Sequence, residues 1–402
     1  MTSDSQQVRI ARRMKGIQYA VRDVVSLARE RAAAGGDLIF LNIGDPCQFD
    51  FKTPGHVIEA IIRALRDDKT SYTASEGLAE AREAVRRDAS ERQGILGVRD
   101  VFTGNGASEL IEALLTALLD PGEAVLVPRP GYPLYTAVLG KLEARGVYYD
   151  LDERDGWHPD ADRIEDLVDC TDDVRAIVLI NPNNPTGSVT DRATLEQILD
   201  IAARRNLLVI SDEIYDQLLI DDVEMVATAS LRDDVVIATF GGLSKVWLGP
   251  GLRMGWCILS GPEHKTRTVC DALAQLLRAR LSASHPVQFG VKPALEGPMD
   301  HVAEVNTRLR ERRDVMVEQL EAIPGWSLAP PQGAFYAFPK VELGIPDTQV
   351  VRELIMDHGV VLVHGSGFGA QDPNHVRLVF LPPPDLLREA FSRIGTYSAR
   401  YA

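Results

Sequence analysis

Five short apolar runs, at residues 124–127, 176–180, 207–211, 235–239 and 256–259, are separated by stretches whose apolar residues recur with helical spacing. Runs of this kind alternating with amphipathic helices predict an α/β fold with a mostly parallel sheet flanked by helices, because parallel strands need a crossover between them. One crossover is explicit. Within residues 192–205, Leu195, Ile198, Leu199 and Ala202 share a helix face, and Asp191 stands where an N-cap belongs. A second helix is expected over 108–119, closed by the Asp120-Pro121-Gly122 turn.

The two ends of the chain read differently. Residues 1–50 hold a short helical stretch and one apolar run, 38–43. Beyond residue 297 come a charged helix over 302–323, a Pro-rich turn at Ala329-Pro330-Pro331, and strand-like pieces at 334–338, 360–363 and 376–380. A closing helix starts at Pro384. With 402 residues the chain exceeds the roughly 250–300 at which a single core stops growing. We therefore expect an N-terminal arm and part of a small unit in 1–50, a large unit in 51–297, and the rest of the smaller α+β unit in 298–402.

Charge narrows the partners. There are 43 Lys+Arg against 58 Asp+Glu, a formal charge of −15. This opposes nucleic acid or an anionic membrane surface, both of which reward positive charge. It leaves an anionic small ligand open, since one arginine or one helix N-terminus overrides the global field locally. Cys47, Cys170, Cys257 and Cys270 form no CxxC pair, so reduced, mostly buried thiols are expected rather than a metal site or disulfides. The polar start of the chain and the lack of a long apolar run predict no membrane span and a cytoplasmic protein.

In open α/β sheets ligands gather at the carboxyl ends of the strands. The first four runs are followed there by Arg129-Pro130-Gly131-Tyr132, Asn181-Pro182-Asn183-Asn184-Pro185-Thr186-Gly187, Asp212-Glu213-Ile214-Tyr215 and Gly241-Gly242-Leu243-Ser244-Lys245, with Arg253 eight residues later. Singly, each has a plain structural explanation: Asn-Pro and Pro-Thr-Gly form turns, an aspartate caps a helix, a lysine sits on the surface. Gly104-Asn105-Gly106-Ala107-Ser108 opens a helix but fails the dinucleotide pattern, because Glu109 occupies a required glycine position.

Taken in order, these segments resemble the fold-type-I pyridoxal-phosphate-dependent aminotransferases of class I/II, over nearly the whole chain from Leu41-Asn42-Ile43-Gly44-Asp45-Pro46 onward. Residues 17–24, Gly333-Ala334-Phe335-Tyr336 and His364-Gly365-Ser366-Gly367-Phe368-Gly369 are most similar to the alanine aminotransferase branch. The resemblance implies that Lys245 provides the amine for a Schiff base with pyridoxal 5'-phosphate. It gives Asp212 the pyridine nitrogen, Tyr215 and Asn184 the phenolic oxygen, and Tyr132 the ring face. It gives Gly106, Ala107, Ser108, Ser244 and Arg253 the phosphate. Arg377 would take the substrate α-carboxylate, with Gly44 and Tyr19 beside it. Tyr72 would reach the phosphate of a second subunit, making a homodimer with shared sites.

The implied reaction moves an amino group from an L-amino acid, alanine first, to a 2-oxo acid, 2-oxoglutarate first. A lyase, a decarboxylase or another amino-acid-modifying enzyme on the same fold is the alternative, since fold does not choose the bond broken. A non-catalytic regulator is the remote one, because the complete lysine, aspartate, tyrosine and arginine set is kept. Departures fall near the site. Gly242 stands where many relatives have a phosphate-binding serine, so that either one phosphate contact is lost or Ser244 compensates. Trp247 and Leu252 replace the branch's tyrosine and tryptophan, and Cys47 differs near the substrate entrance. These departures leave the implied cofactor intact and leave the amino-acid substrate open.

Overall fold

The computed structural model describes residues 8–17 and 20–401. After the helix Ala20–Ala33 the first strand is β1 (Ile39–Phe40). Then come β2 (Val98–Gly104), β3 (Ala124–Arg129), β4 (Arg145–Asp152), β5 (His158–Pro159), β6 (Val174–Ile180), β7 (Leu208–Asp212), β8 (Ile237–Gly242) and β9 (Gly255–Ser260). These eight make one sheet in the order β2-β9-β8-β7-β6-β3-β4-β5. The stretch β4-β3-β6-β7-β8 is parallel. By contrast β9 is antiparallel to both its neighbours, and β5 to β4.

Period-two alternation divides the interior strands between two cores. On one face Leu126, Ile177, Leu179 and Val209 join one cluster. On the other, Val125, Val127, Val178 and Ile210 join a second. Successive side chains point to opposite faces, so a sheet covered by helices on both sides needs uninterrupted apolar runs. The crossover helix forms as Arg192–Arg205. Its Asp191 carboxylate accepts from the Thr194 amide at 3.0 Å, and Asn206 ends it in a left-handed conformation.

Three strands of this sheet lie outside the five runs: β2, β4 and the two-residue β5. In β2, Arg99 and Asp100 interrupt the apolar sequence, and in β4 Arg145, Asp150 and Asp152 do so. β2 is an edge strand, and β4 is covered on its outer side only by the two-residue β5. Such positions tolerate polar residues that an interior strand does not.

The rest of the chain adds β10 (Trp326–Ser327), β11 (Tyr336–Ala337), β12 (Lys340–Val341), β13 (Val360–Val361), β14 (Val363–His364) and β15 (Val376–Val379). Here the chain ends meet: β1 pairs in parallel with β13, and the Val379 amide donates to the Leu41 carbonyl at 2.8 Å. The three-stranded sheet β11-β15-β14 and the helices Asp300–Glu321 and Pro384–Ser398 complete this smaller α+β unit.

All four cysteines are free, but only Cys257 and Cys270 are buried. This corrects the expectation of mostly buried thiols. Cys47 sits in the surface turn Pro46–Gln48 and Cys170 is the last residue of the helix Ala161–Cys170, so neither faces a core. Among the described residues no helix is long and apolar enough to cross a membrane.

Candidate active site

A cavity of about 240 Å³ opens at the carboxyl ends of the parallel strands. Its wall includes Gly44, Ala107, Ser108, Tyr132, Asn184, Asp212, Tyr215, Ser244, Lys245, Arg253 and Arg377. Eleven residues picked from scattered motifs thus converge on one hollow. Gly106 stands directly behind it, against Arg253. Tyr72 is elsewhere, 78% exposed on the surface. Tyr19 lies outside the described residues.

Asp212 ends β7 and is 4% exposed. Tyr135 donates its hydroxyl to Asp212 Oδ2 at 3.1 Å. Burial pushes the Asp212 carboxyl up to about 6; the hydrogen bonds from Tyr135 and the Ile214 amide, and the charge of Lys245, pull it down only in part. A buried acid with so little compensation is poised for a cationic N–H donor. Lys245 follows β8, half-buried, and donates from Nζ to the Gly44 carbonyl at 2.8 Å. Its ammonium lies 5.4 Å from the Phe335 ring centre and 5.7 Å from that of Tyr215.

One end of the cavity is built for an anion. The helix Ala107–Leu118 starts there with no side chain capping it, so its first amides are free to donate outward, aided by the helix dipole. Gly106 has φ +86°, and a Cβ on it would lie 2.3 Å from Arg253 Nη2. Across the sheet, a Cβ on Gly255 would lie 2.2 Å from the Ala107 amide nitrogen. These two glycines let the helix start and the guanidinium approach each other. Gly242 is closed to the serine it replaces: a Cβ there would lie 2.7 Å from the Met254 carbonyl oxygen. Ser244, with no such restriction, lines the cavity.

At the opposite end Arg377, on β15, is 3% exposed. It donates to the Asn42 carbonyl at 2.5 Å and to Asn184 Oδ1 at 3.3 Å. Its guanidinium is sandwiched between the Tyr336 and Phe368 rings, 4.7 and 4.6 Å from their centres.

The sequence assigns no role to Tyr135, Tyr336, Phe368 or Asn42, although the last three stand in its motifs. Tyr336 and Phe368 belong to the Gly333–Tyr336 and His364–Gly369 motifs, but nothing local says which of their aromatics meets the arginine. Tyr135 had no signal beyond its place three residues after Tyr132.

The three departures Trp247, Leu252 and Cys47 stand outside the cavity lining. Trp247 is 2% exposed, packs edge-on against Trp256, and donates to the Ala294 carbonyl at 2.8 Å. Cys47 instead donates its thiol to the Leu248 carbonyl at 2.9 Å, which also accepts from Thr53. These substitutions change what backs the wall, because each side chain is turned into packing or onto a turn.

The family model for aminotransferase class I and II matches residues 36–394. Curated relatives include an alanine aminotransferase of Mycobacterium tuberculosis, 37% identical over 97% of this chain and 92% of its own length. Another is the glutamate-pyruvate aminotransferase AlaA of Haemophilus influenzae, also 37% identical, over 97% and 98%. Among solved structures, an alanine aminotransferase from Pyrococcus furiosus superposes with a TM-score of 0.93 at 41% identity, over 98% of this chain and all of that one. An aspartate aminotransferase variant of Thermus thermophilus gives 0.88 at 30% identity, over 97% and 99%. With a family model spanning most of its length and a sheet whose strand ends gather the family's motifs into one cavity, this chain belongs to the class I and II aminotransferases and is a transaminase.

Proposed function

We propose that the chain uses pyridoxal 5'-phosphate to move the amino group of an L-amino acid, alanine in the first instance, to a 2-oxo acid such as 2-oxoglutarate. The observation that carries this reading is the arrangement across one cavity: an under-compensated buried carboxyl, a lysine, and an uncapped helix start beside an arginine. It fits a flat ring with a basic nitrogen at one edge and a phosphate at another. When bound, that group supplies an aldehyde carbon for an amine and a ring that draws electron density from the substrate Cα.

The chain's own residues divide the remaining work. Asp212 would accept the ring N–H and hold that nitrogen cationic. Tyr132 would cover the ring, and Tyr215 and Asn184 would donate to its phenolic oxygen. Ala107 and Ser108 present amides, and Ser244 and Arg253 a hydroxyl and a guanidinium, to the phosphate. Gly106 and Gly44 leave room for close backbone approach. Lys245 would be the base that takes the proton from the substrate Cα and holds it on its Nζ as an ammonium. Tyr19 is assigned to the substrate side by resemblance alone.

Arg377 holds the α-carboxylate through two parallel N–H bonds, which fixes the Cα–H bond relative to the ring. Replacing the planar fork by an ammonium is expected to lower kcat/KM for amino acids about tenfold or more in Arg377→Lys, on the order of 1.4 kcal/mol. Reaction with an amine lacking a carboxylate should be little changed. Stopped-flow kinetics with both donors checks this; equal effects on the two would move the carboxylate elsewhere.

The names of the relatives, alanine and glutamate-pyruvate aminotransferases, support alanine as donor. The test is product analysis: with alanine alone the protein should release one equivalent of oxo acid and stop, and resume when 2-oxoglutarate is added. Continued turnover without an acceptor would favour the lyase reading. The exposure of Tyr72 supports a homodimer in which it completes the partner's phosphate site. The acidic charge and the lack of a membrane-spanning helix among the described residues support a cytoplasmic enzyme. We place its site between a large unit of residues 51–297 and the small unit of 1–50 and 298–402.

A further inference from the structure

Tyr336 is the residue at which the two ends of the site touch. It is 3% exposed, held on β11 by pairing with Val379 of β15, the strand that carries Arg377. Its hydroxyl lies 3.0 Å from that of Tyr215. Its ring face lies 4.7 Å from the Arg377 guanidinium. Its hydroxyl also occupies the space beside Gly44, where a Cβ would come within 2.0 Å of it. One side chain therefore contacts the tyrosine assigned to the phenolic oxygen, the arginine assigned to the carboxylate, and the glycine whose carbonyl holds Lys245.

We propose that Tyr336 is a positioning residue with two separable actions: its hydroxyl polarises Tyr215, and its ring fixes the plane of Arg377. The inference rests on the cofactor and carboxylate assignments above. If Tyr215 donates to the phenolic oxygen, its own oxygen is left to accept, and Tyr336 is within reach to donate. A donated hydrogen bond makes Tyr215 a better donor in turn, since hydrogen bonds in a chain polarise one another. A better donor stabilises the anionic phenolic oxygen and lowers the pH at which the lysine-linked cofactor loses its proton. The ring acts by another route. A cation stacked on an aromatic face is held flat against it, so Arg377 offers its fork in one plane.

Two variants separate these actions. Tyr336→Phe keeps the ring and removes the hydroxyl. It should raise the midpoint at which the bound cofactor's visible absorbance titrates by about 0.1–0.6 pH unit, roughly 10–30% of the worth of the Tyr215 hydrogen bond it polarises. It should leave KM for alanine within about twofold of the wild type. Adding it to Tyr215→Phe should move the midpoint no further. Tyr336→Leu removes the ring and should also raise KM for alanine by about fivefold or more, with little change for an amine lacking a carboxylate.

An unmoved midpoint in Tyr336→Phe, a further shift in the double variant, or an equal KM change for both donors in Tyr336→Leu would overturn the proposal. Tyr336→Phe removes a single oxygen, so the hydroxyl test stands even if the leucine variant fails to fold. If wild-type protein mixed with pyridoxal phosphate gives no titrating absorbance at all, the cofactor reading fails first. A titrating wild type with an unmoved Tyr336→Phe rejects this inference alone.

Discussion

Lys245→Ala protein is expected to bind pyridoxal phosphate yet turn over more slowly by about four orders of magnitude or more. The size follows from what the lysine does twice. In the proposed role it would offer the amine that holds the cofactor ready for exchange and would be the base at the substrate Cα, a role worth about 10²–10⁴ by itself. Binding should survive because the phosphate is assigned to residues that the substitution does not touch: Ala107, Ser108, Ser244 and Arg253. Lys245 sits with its Nζ on the Gly44 carbonyl, so its loss removes one hydrogen bond at the cavity wall and little packing. Borohydride reduction of the wild type followed by peptide mapping should place the adduct on Lys245. An adduct on another lysine, or near-normal turnover by Lys245→Ala, would reject the assignment.

Why the lysine's role was readable, and the contacts of Tyr135 and Tyr336 were not, is a matter of range. Lys245, Asp212 and Asn184 each lie at or just beyond the end of an interior strand. The strand is marked by its apolar run, and the parallel topology then brings all strand ends to one edge. Local pattern plus one topological rule places them. Tyr135 reaches Asp212 across 77 positions of sequence, and Tyr336 reaches Tyr215 across 121. No periodicity encodes such contacts; they depend on how a helix packs over the sheet and how β11 pairs with β15.

The same logic explains the strands. Interior β6 and β7 announce themselves because both faces are covered, whereas β2, at an edge, carries charges. Trp247 taught the reverse lesson. It stands two residues from the lysine, yet its indole is turned into the packing around Trp256. Nearness in sequence did not put it on the cavity wall.

Asp212→Asn should separate an electronic role from a structural one, because the two predict opposite signs for stability. In the cofactor-free wild type the carboxyl is pushed up to about 6 by burial, from an ordinary 3.8. An acid raised by folding costs stability once it ionises: the cost is absent below about pH 4, grows through the interval, and is complete above about pH 6. A shift of roughly two units corresponds to about 3 kcal/mol at most. The neutral amide escapes that cost while leaving the Tyr135 hydroxyl an acceptor. Cofactor-free Asp212→Asn is therefore expected to unfold at the same temperature as wild type or higher at pH 7.5, and the difference should close as the pH is lowered toward 4. Activity should move the other way. An amide cannot hold a cationic ring nitrogen, so kcat should drop by about 10³ or more, the scale on which preorganised charge acts in a buried site. Paired thermal melts across this pH range and steady-state kinetics on the loaded protein decide it. A variant that melts earlier at pH 7.5 but turns over normally would make Asp212 a structural cap at the end of β7.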